Sequence, residues 1–197
     1  MVYIICAVIA YFIGSFCASI PLSKRLLGAD IRTEGSGNAG ATNMARVYGM
    51  KAGVVTFALD AAKTAAAMLL GVFLGGQLGE AIAGAACIVG HCFPVYFGFR
   101  GGKGVSVGAA IGLMIHPLVF CMILSVFLAV AVLGRKVSLA SMTAAMALPL
   151  AAWLADAGQT LVIMCVFSAV LVIFMHRSNI LRLVNGTEPD FRPQKFD

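Results

Sequence analysis

Three polar, glycine-rich segments interrupt an otherwise apolar chain, and their side chains are suited to binding anions. They cover residues 36–46, 90–104 and 176–188. Each segment adjoins a long hydrophobic run and concentrates amide, hydroxyl and cationic donors, which are the groups that recognise phosphate. This composition predicts a membrane protein that holds an anion at its surface.

The first segment predicts an anion-binding nest. Gly37 and Gly40 permit backbone conformations that turn successive N–H groups toward one point. Arg46 adds a planar fork of donors that suits phosphate. A helix that begins near residue 42 would add the partial positive charge of its N-terminus. A flexible linker is the alternative, although a linker has no need of the arginine. The other side-chain donors of this segment are Ser36, Asn38, Thr42 and Asn43.

The second segment predicts a glycine loop with a phosphate-clamping lysine, Lys103, but not a loop that hydrolyses nucleotides. Its end, Gly101-Gly102-Lys103-Gly104, lacks the first glycine of the Walker pattern, because Phe97 stands there. Gly104 also stands where that pattern needs the Ser or Thr that holds Mg²⁺. His91 begins the segment as either a structural hydrogen-bonding group or a catalytic one, and the sequence leaves both open.

The third segment places polar side chains at the end of the last hydrophobic run. His176 and Asn179 are spaced i, i+3 and share one face of a helix. A polar helix end that only marks the membrane interface is the alternative. Because a phosphate would repel Glu188, we expect this carboxylate to orient a cation of the site, such as Arg46 or Arg177.

Two weaker signals lie outside these segments. Ser138 is a good N-cap for the sixth hydrophobic run, and Ser141 is a candidate anion contact one turn later. Asp60 and Lys63 lie i, i+3 inside a hydrophobic run, where charges are costly and normally paired. We expect this pair to be structural, with proton-coupled transport as the alternative.

The composition requires lipid to cover much of the protein. Of the 197 residues, 61% are hydrophobic and 11% are charged, and the mean hydropathy is +0.99. Soluble domains carry about 25% charged residues. We therefore expect an all-α integral membrane protein with a single domain over residues 1–197. The six scattered cysteines predict buried small hydrophobic residues rather than disulfides or a zinc site.

Seven hydrophobic runs are candidate transmembrane helices. The fourth is short, and Pro117 disfavours helix at the preceding residue, which predicts a break at His116 before the fifth. With that break every Lys and Arg except Lys63 lies on one face, which the positive-inside rule makes cytoplasmic. The N-terminus is then outside, the C-terminus is cytoplasmic, and the glycine-rich loops converge on the cytoplasmic face. The seven runs are Val2–Leu22, Ala52–Gly76, Leu78–Phe97, Val105–Ile115, Leu118–Leu133, Leu139–Leu154 and Leu161–Met175.

Several catalytic patterns are absent from the sequence. No histidine has an aspartate five positions later, as in the dyad of many acyltransferases. No cluster of histidines and carboxylates indicates a metal, so we expect no cofactor, and no nucleic acid as a partner. A transporter of a small phosphorylated solute is the alternative function. It would show paired broken helices in two repeated halves, which the sequence lacks.

The three segments together resemble the signature motifs of the PlsY family of bacterial membrane acyltransferases. The matching residues are Ser36-Gly37-Asn38-x-Gly40-x-Thr42-Asn43, then Gly90-His91-x-Phe93-Pro94 with Gly101-Gly102-Lys103-Gly104, then Gly186-Thr187-Glu188. The resemblance extends over essentially the whole chain, including its length and seven spans. All three motifs occur in the order that the family has, and this makes the resemblance specific to that family.

The resemblance implies transfer of a fatty acyl group from acyl phosphate to the 1-hydroxyl of sn-glycerol 3-phosphate. The products would be lysophosphatidic acid and inorganic phosphate, in the first acylation of phospholipid biosynthesis. It implies an enzyme in the lipid bilayer of the bacterial inner membrane, with a cytoplasmic site, and we expect a monomer. The acyl chain would lie among the spans, near residues such as Phe93, Phe97 and Met114.

The residues divide into a catalytic and a binding set. The phosphate of the acyl phosphate is the expected proton acceptor, with His176 as the alternative base. The catalytic set, which would hold glycerol 3-phosphate, is Ser36, Arg46, Lys103, His176 and Asn179. The substrate-binding set is Gly37, Asn38, Gly40, Thr42, Asn43, His91, Gly101, Gly102, Gly104, Ser141 and Glu188.

Overall fold

The computed structural model describes residues 1–190; the predicted cytoplasmic cations Arg192 and Lys195 lie outside this range. The described chain is helical and contains no strand, which confirms the all-α prediction. Two short 3-10 turns, Ile31–Thr33 and Val95–Phe97, lie in the loops. The α-helices are α1 (Val2–Ser15), α2 (Ser19–Leu27), α3 (Ala41–Cys92), α4 (Val105–Ile115), α5 (Pro117–Gly134), α6 (Val137–Leu154), α7 (Gln159–Met175) and α8 (Arg177–Val184).

The longest helix, α3, folds back on itself at two glycines. Gly75 and Gly76 leave helical geometry, and Gly76 has φ of 57°, which favours glycine. The limbs before and after this turn are antiparallel, because Gly71 packs on the backbone of Gly79 and Cys87 Sγ lies 3.9 Å from Thr64 Oγ1. The turn therefore falls at the predicted boundary between the second and third hydrophobic runs.

Four helical stretches of residues 1–190 are long and apolar enough to cross a bilayer. α7 and α8 form a fifth candidate, although the pair is bent by 58°. α4 has 11 residues, fewer than the ~17 that a span requires. The seven-span count, which divides the α3 stretch in two and counts α4, stays a prediction. The four stretches are Val2–Leu26, Ala41–Phe97, Pro117–Gly134 and Val137–Leu154.

The predicted break between the fourth and fifth runs is confirmed. α4 ends at Ile115 and α5 begins at Pro117, with His116 in an extended conformation between them. The His116 Nδ1 atom accepts a hydrogen bond from the Leu118 N–H at 3.1 Å and so caps α5.

The first predicted run remains one candidate span, although its helix is interrupted between Ser15 and Ser19, where α1 ends and α2 begins. Two predictions about local structure are wrong. The N-cap of α6 is Lys136, so Ser138 lies inside the first turn instead of capping it. Cys121 is exposed on α5, whereas the other five cysteines are buried as expected. The exposed thiol faces the surface that an apolar helix presents to lipid.

The first helix and the second limb of α3 pack backbone to backbone. A Cβ atom at Gly14 would collide with the Cys87 carbonyl, and one at Gly90 would collide with the Tyr11 carbonyl. Small residues permit this close approach, which is typical of helix pairs in membranes. The contact places the end of α3, and with it His91, beside the end of α1.

Candidate active site

A cavity of about 730 Å³ extends from the glycine-rich loops into the space between α4, α5, α6 and α7. One part of it is polar and the other is apolar, so a single molecule could occupy both. The predicted site residues that line the polar part are Ser36, Asn38, Gly40, Thr42, Asn43, His91, Arg46, Lys103, Ser141, His176, Asn179 and Glu188. Gly37, Gly101, Gly102 and Gly104 do not line it.

Asn43 organises the first loop from within. Its Nδ2 amide donates to the carbonyls of Ile31, Glu34 and Asn38 at 3.2, 3.0 and 3.0 Å, and its Oδ1 accepts from the Ser36 N–H at 2.9 Å. The side chain is buried, so these four bonds also satisfy its polar groups. The sequence predicts that Asn43 donates to an anion, but in this geometry its donors hold the loop instead.

The N-terminus of α3 opens onto the cavity, as predicted from the segment around Thr42. Gly40 is the N-cap and makes no side-chain capping bond. Gly40, Ala41 and Thr42 all line the cavity. The first N–H groups of a helix lack partners within that helix and carry its positive dipole end, so this end can bind an anion.

Arg46 lies on the second turn of α3 and lines the cavity. Within residues 1–190 its guanidinium has no hydrogen-bonded or ion-paired partner of its own, in contrast to Arg32 and Arg182, which bind carboxylates. A half-buried guanidinium with five unused donors is a ready receptor for a phosphate or carboxylate.

The glycine loop is tied to the end of α3 through its amides. The Gly101 N–H donates to the Cys92 carbonyl at 3.2 Å, and the Gly102 N–H donates to the His91 carbonyl at 3.1 Å. These two amides are therefore used within the protein, and neither glycine lines the cavity. Gly104 has φ of 82° and is the N-cap of α4, so the loop turns sharply after Lys103.

Arg32 joins the first loop to the second, a link that sequence reasoning missed. Its Nη1 donates to the Phe97 carbonyl at 2.6 Å and the Arg100 carbonyl at 3.2 Å, while Asp30 binds its Nε and Nη2 atoms. The hydrogen bonds from Arg32 hold the pKa of Asp30 at about 2. The bridge sets the distance between the two segments that carry Arg46 and Lys103.

Lys103 reaches from the glycine loop to the third segment, where its Nζ donates to Asn179 Oδ1 at 2.5 Å. Burial, together with the nearby cations Arg182 and Arg46, lowers the pKa of Lys103 to about 8 against the opposing charge of Glu188. Three cations thus share one end of the cavity with a single carboxylate. This excess of positive charge favours a ligand with more than one negative charge.

The third segment is held together by Glu188, but not through the predicted partners. The carboxylate accepts hydrogen bonds from Asn179 Nδ2 and Arg182 Nε, both at 2.7 Å. Arg177 instead contacts the Phe174 ring and carbonyl, and Arg46 does not bind Glu188. The expected pairing of Glu188 with Arg46 or Arg177 is therefore wrong. Burial opposes ionisation, but these hydrogen bonds keep the pKa of Glu188 below its usual value.

His176 follows α7, and its ring is fixed by the Val172 carbonyl. The Nδ1 atom lies 2.7 Å from this oxygen, which can only accept, so Nδ1 carries a proton and Nε2 remains available to the cavity. Burial, with a contribution from Lys103, lowers the pKa of His176 to about 4. The imidazole is therefore neutral at physiological pH.

Sequence reasoning missed Arg182, Ser106 and the apolar half of the cavity. Arg182 was counted only as a topogenic charge, although its spacing of three from Asn179 already indicated a shared helix face. The residues Phe93, Phe97 and Met114, expected near the acyl chain, do not line the cavity. The apolar lining includes Phe57, Gly108, Ala109, Phe120, Ile123, Leu124, Phe127, Ala144, Ala145, Leu148 and Ala169.

Fold and site together define a class, a helical membrane protein with one cavity of two parts. The cationic pocket is the part lined by Arg46, Lys103 and Arg182, and it continues into the apolar chamber, the part lined by the apolar residues given above. The family model for glycerol-3-phosphate acyltransferase matches residues 4–186. The chain belongs to the glycerol-3-phosphate acyltransferase family, and it is an integral membrane acyltransferase.

Individual relatives match over nearly their whole length. The glycerol-3-phosphate acyltransferase of Thermoanaerobacter pseudethanolicus is 42% identical over 188 residues, which cover 95% of both chains. That of Clostridioides difficile is 40% identical over 192 residues and 94% of both chains.

Two crystal structures of PlsY, an integral membrane glycerol 3-phosphate acyltransferase, are similar to this fold. The glycerol 3-phosphate form superposes with a TM-score of 0.90 at 35% identity and covers 96% of both chains. The lysophosphatidic acid form gives a TM-score of 0.88 at 34% identity, covering 96% of this chain and 95% of the other.

Proposed function

We propose that this protein transfers a fatty acyl group from acyl phosphate to the 1-hydroxyl of sn-glycerol 3-phosphate. The products are lysophosphatidic acid and inorganic phosphate, and the reaction is the first acylation of phospholipid biosynthesis. Relatives whose structures were solved with glycerol 3-phosphate and with lysophosphatidic acid support the acceptor and the product. The donor is inferred from the resemblance of the three glycine-rich motifs.

The observation that carries the proposal is the continuity of a cationic pocket with an apolar chamber. Arg46, Lys103 and Arg182 line one part of the cavity, and the side chains of α4–α7 line the other. A fatty acyl phosphate has this same division between a charged head and an apolar chain. Each methylene of the chain that leaves water contributes about 0.8 kcal/mol to binding.

The cations offset the repulsion between the two phosphate-bearing substrates. Two unit charges 4 Å apart interact by about 4 kcal/mol at an effective dielectric constant of about 20. Phosphates carry between one and two charges each, so their approach is unfavourable without counter-charge. Arg46, Lys103 and Arg182 supply that counter-charge in a fixed arrangement, which is the main requirement for reaction between two bound substrates.

The acyl transfer needs no acyl-enzyme intermediate. The 1-hydroxyl oxygen attacks the acyl carbonyl carbon, the bond from that carbon to the phosphate oxygen breaks, and the departing phosphate takes the hydroxyl proton. His176 is a weak base, because its pKa lies near 4. We therefore place proton acceptance on the phosphate. A His176→Ala enzyme should keep substantial turnover at saturating substrate; loss of turnover there would assign the proton to His176.

We further propose that the site faces the cytoplasm of the bacterial cell in the inner membrane. The chain would cross the bilayer seven times as a monomer, with its N-terminus outside and its C-terminus inside. The concentration of Lys and Arg in the loops that bear the glycine-rich segments supports this orientation. Cysteine labelling in intact cells, with one engineered cysteine in each loop, would test it.

The decisive assay combines purified protein in lipid bilayers with palmitoyl phosphate and glycerol 3-phosphate. We expect equimolar release of inorganic phosphate and lysophosphatidic acid, and no release when glycerol 3-phosphate is omitted. Parallel reactions with palmitoyl-CoA and palmitoyl-acyl-carrier protein test the donor. Turnover with either of these and none with palmitoyl phosphate would contradict the proposed donor, while no turnover with any donor would contradict acylation.

The pH dependence of the reaction should report the charge of Lys103. Since the pKa of Lys103 is about 8, its side chain is charged below this pH and neutral above it. Glycerol 3-phosphate has a second phosphate pKa near 6 and stays fully ionised through this range. We expect kcat/KM for glycerol 3-phosphate to fall about tenfold between pH ~8 and pH ~9.5.

A matched variant isolates this titration. In Lys103→Arg the guanidinium has a pKa above about 12 and stays charged throughout this range. Its kcat/KM should therefore be lower than that of wild type but level from pH ~8 to pH ~9.5. The measurement is initial rate against glycerol 3-phosphate concentration, corrected for enzyme-free hydrolysis of the donor. An equal decline in Lys103→Arg would remove Lys103 as the titrating group.

A further inference from the structure

A buried polar network lies directly beneath the glycine loop. Lys63 Nζ lies 2.8 Å from Asp60 Oδ1 and 2.9 Å from His91 Nδ1, and it donates to the Phe16 carbonyl at 2.7 Å. Ser106 Oγ donates to the other oxygen of Asp60 at 2.8 Å. All four side chains are buried. The network therefore joins the end of α1, both limbs of α3 and the start of α4.

The geometry of Lys63 fixes the tautomer of His91. An ammonium group can donate three hydrogen bonds and accept none. Lys63 Nζ lies 2.9 Å from His91 Nδ1, whereas Asp60 Oδ1 lies 3.5 Å from the same nitrogen, which is longer than an ordinary hydrogen bond. Nδ1 therefore accepts from Lys63, and the ring proton resides on Nε2. His91 is thereby held with Nε2 turned away from Lys63 and toward the glycine loop.

The His91 ring supports the loop at Gly102. A Cβ atom at Gly102 would collide with His91 Nε2, so the glycine backbone rests on the edge of the imidazole. The Gly102 N–H also donates to the His91 carbonyl at 3.1 Å. The residue before Lys103 is therefore positioned by His91 through both its ring and its backbone.

Ser106 fixes the other side of the same loop. It lies in the first turn of α4, three residues after Lys103, and its bond to Asp60 anchors that turn to α3. Lys103 is thus bracketed by Gly102 and Ser106, and both are bound to one network. Its ammonium, in contrast, extends away from the network to Asn179.

We infer that the Asp60–Lys63–His91–Ser106 network is a positioning device for Lys103. Stability of the fold does not require these charges, because a buried ion pair is often no more stabilising than apolar residues of the same size. Its three-way contacts instead define one placement of the loop relative to α3, where Arg46 resides. The inference goes beyond the acyl-transfer reaction and depends on the proposed role of Lys103 in it.

The test is a double-mutant cycle between the network and Lys103. Lys63→Met, Lys103→Ala and the double variant are assayed with the donor that wild type uses, after the folded fraction of each has been measured. We expect Lys63→Met to lower kcat/KM for glycerol 3-phosphate at least about tenfold. The double variant should be no worse than Lys103→Ala alone, because the network acts through that lysine.

Two further variants separate positioning from general damage. Lys51→Met makes the same substitution at an exposed position of α3 outside the cavity, and it should leave kcat/KM unchanged. Ser106→Ala removes only one hydroxyl. If Lys63→Met does not fold, Ser106→Ala replaces it in the double-mutant cycle with Lys103→Ala. We expect it to lower kcat/KM severalfold in the presence of Lys103 and not in Lys103→Ala.

The outcomes distinguish the two proposals. A fall in thermal stability with unchanged kcat/KM would make the network purely structural, and multiplicative losses in the double variant would show that it does not act through Lys103. Either result overturns this inference and leaves acyl transfer intact. Wild-type kinetics in Lys103→Ala would remove both the inference and the role of Lys103.

Discussion

Replacement of Arg46 by alanine is expected to raise KM for glycerol 3-phosphate about 100-fold. Arg46 lines the cavity, and its guanidinium has no partner within residues 1–190. Hydrogen bonds to charged groups contribute about 1.5–3 kcal/mol each, and 1.4 kcal/mol is a factor of ten. A bidentate contact with phosphate would therefore account for a loss of two orders of magnitude.

The loss should appear mainly in KM because Arg46 binds a phosphate that does not react. A group that holds the acceptor equally in the ground state and the transition state changes KM and leaves kcat similar. The measurement is the initial rate at saturating acyl phosphate over a wide range of glycerol 3-phosphate concentrations. Unchanged kinetics in Arg46→Ala would exclude Arg46 from the binding site.

Two variants serve as controls for this prediction. Arg46→Lys retains the charge but loses the planar fork, so its KM should lie between those of wild type and Arg46→Ala. Arg25→Ala removes an exposed arginine of α2 that does not line the cavity, and it should behave as wild type. An equal rise in KM for Arg25→Ala would attribute the effect to net charge instead of contact.

The polar segments were predictable because their residue types are rare in an apolar chain. Ser36, Arg46, Lys103 and Asn179 stand out in sequence, and the fold does bring them to one cavity. Their convergence followed from topology, since loops on one face of a membrane protein can meet. A pattern of residue types cannot show which acceptor each donor binds, because this depends on the distances between atoms in the folded protein.

Asn43 and the two glycines of the second loop show this limit. An asparagine in a glycine-rich loop can donate to a ligand or to its own backbone, and the sequence is the same in both cases. The structure has Asn43 bonded to three carbonyls of its own loop, and Gly101 and Gly102 bonded to the end of α3. The sequence likewise predicts that Asp60 and Lys63 form a self-contained pair, since nothing in it brings His91 or Ser106 to them.

The apolar chamber was beyond prediction for a different reason. In a chain that is mostly hydrophobic, residues that face lipid, core or cavity have the same composition. Gly108 and Leu148 carry no distinguishing neighbour in sequence, yet both line the cavity. Only the helix packing shows which of them encloses space that a substrate can fill.

Gly108→Leu should therefore change the selectivity of the enzyme for acyl-chain length. Gly108 lies one turn into α4 on the chamber wall, and a Cβ atom there would meet no atom within 4 Å. The added side chain would occupy chamber space without displacing protein atoms. If it excludes about three methylenes of the substrate, at about 0.8 kcal/mol each, the loss is about 2.4 kcal/mol, or roughly 50-fold.

The loss should depend on chain length, and this dependence distinguishes occupation of the chamber from damage to the enzyme. We expect kcat/KM for palmitoyl phosphate to fall about 50-fold and that for acetyl phosphate, whose chain does not enter the chamber, to stay within twofold of wild type. Gly134→Leu adds the same side chain near the end of α5, outside the cavity, where the nearest atom is 3.7 Å away. It should leave the ratio between the two donors unchanged. A uniform fall for both donors in Gly108→Leu, or no fall for either, would show that the acyl chain lies elsewhere, because a chain that fills this chamber cannot avoid the added leucine.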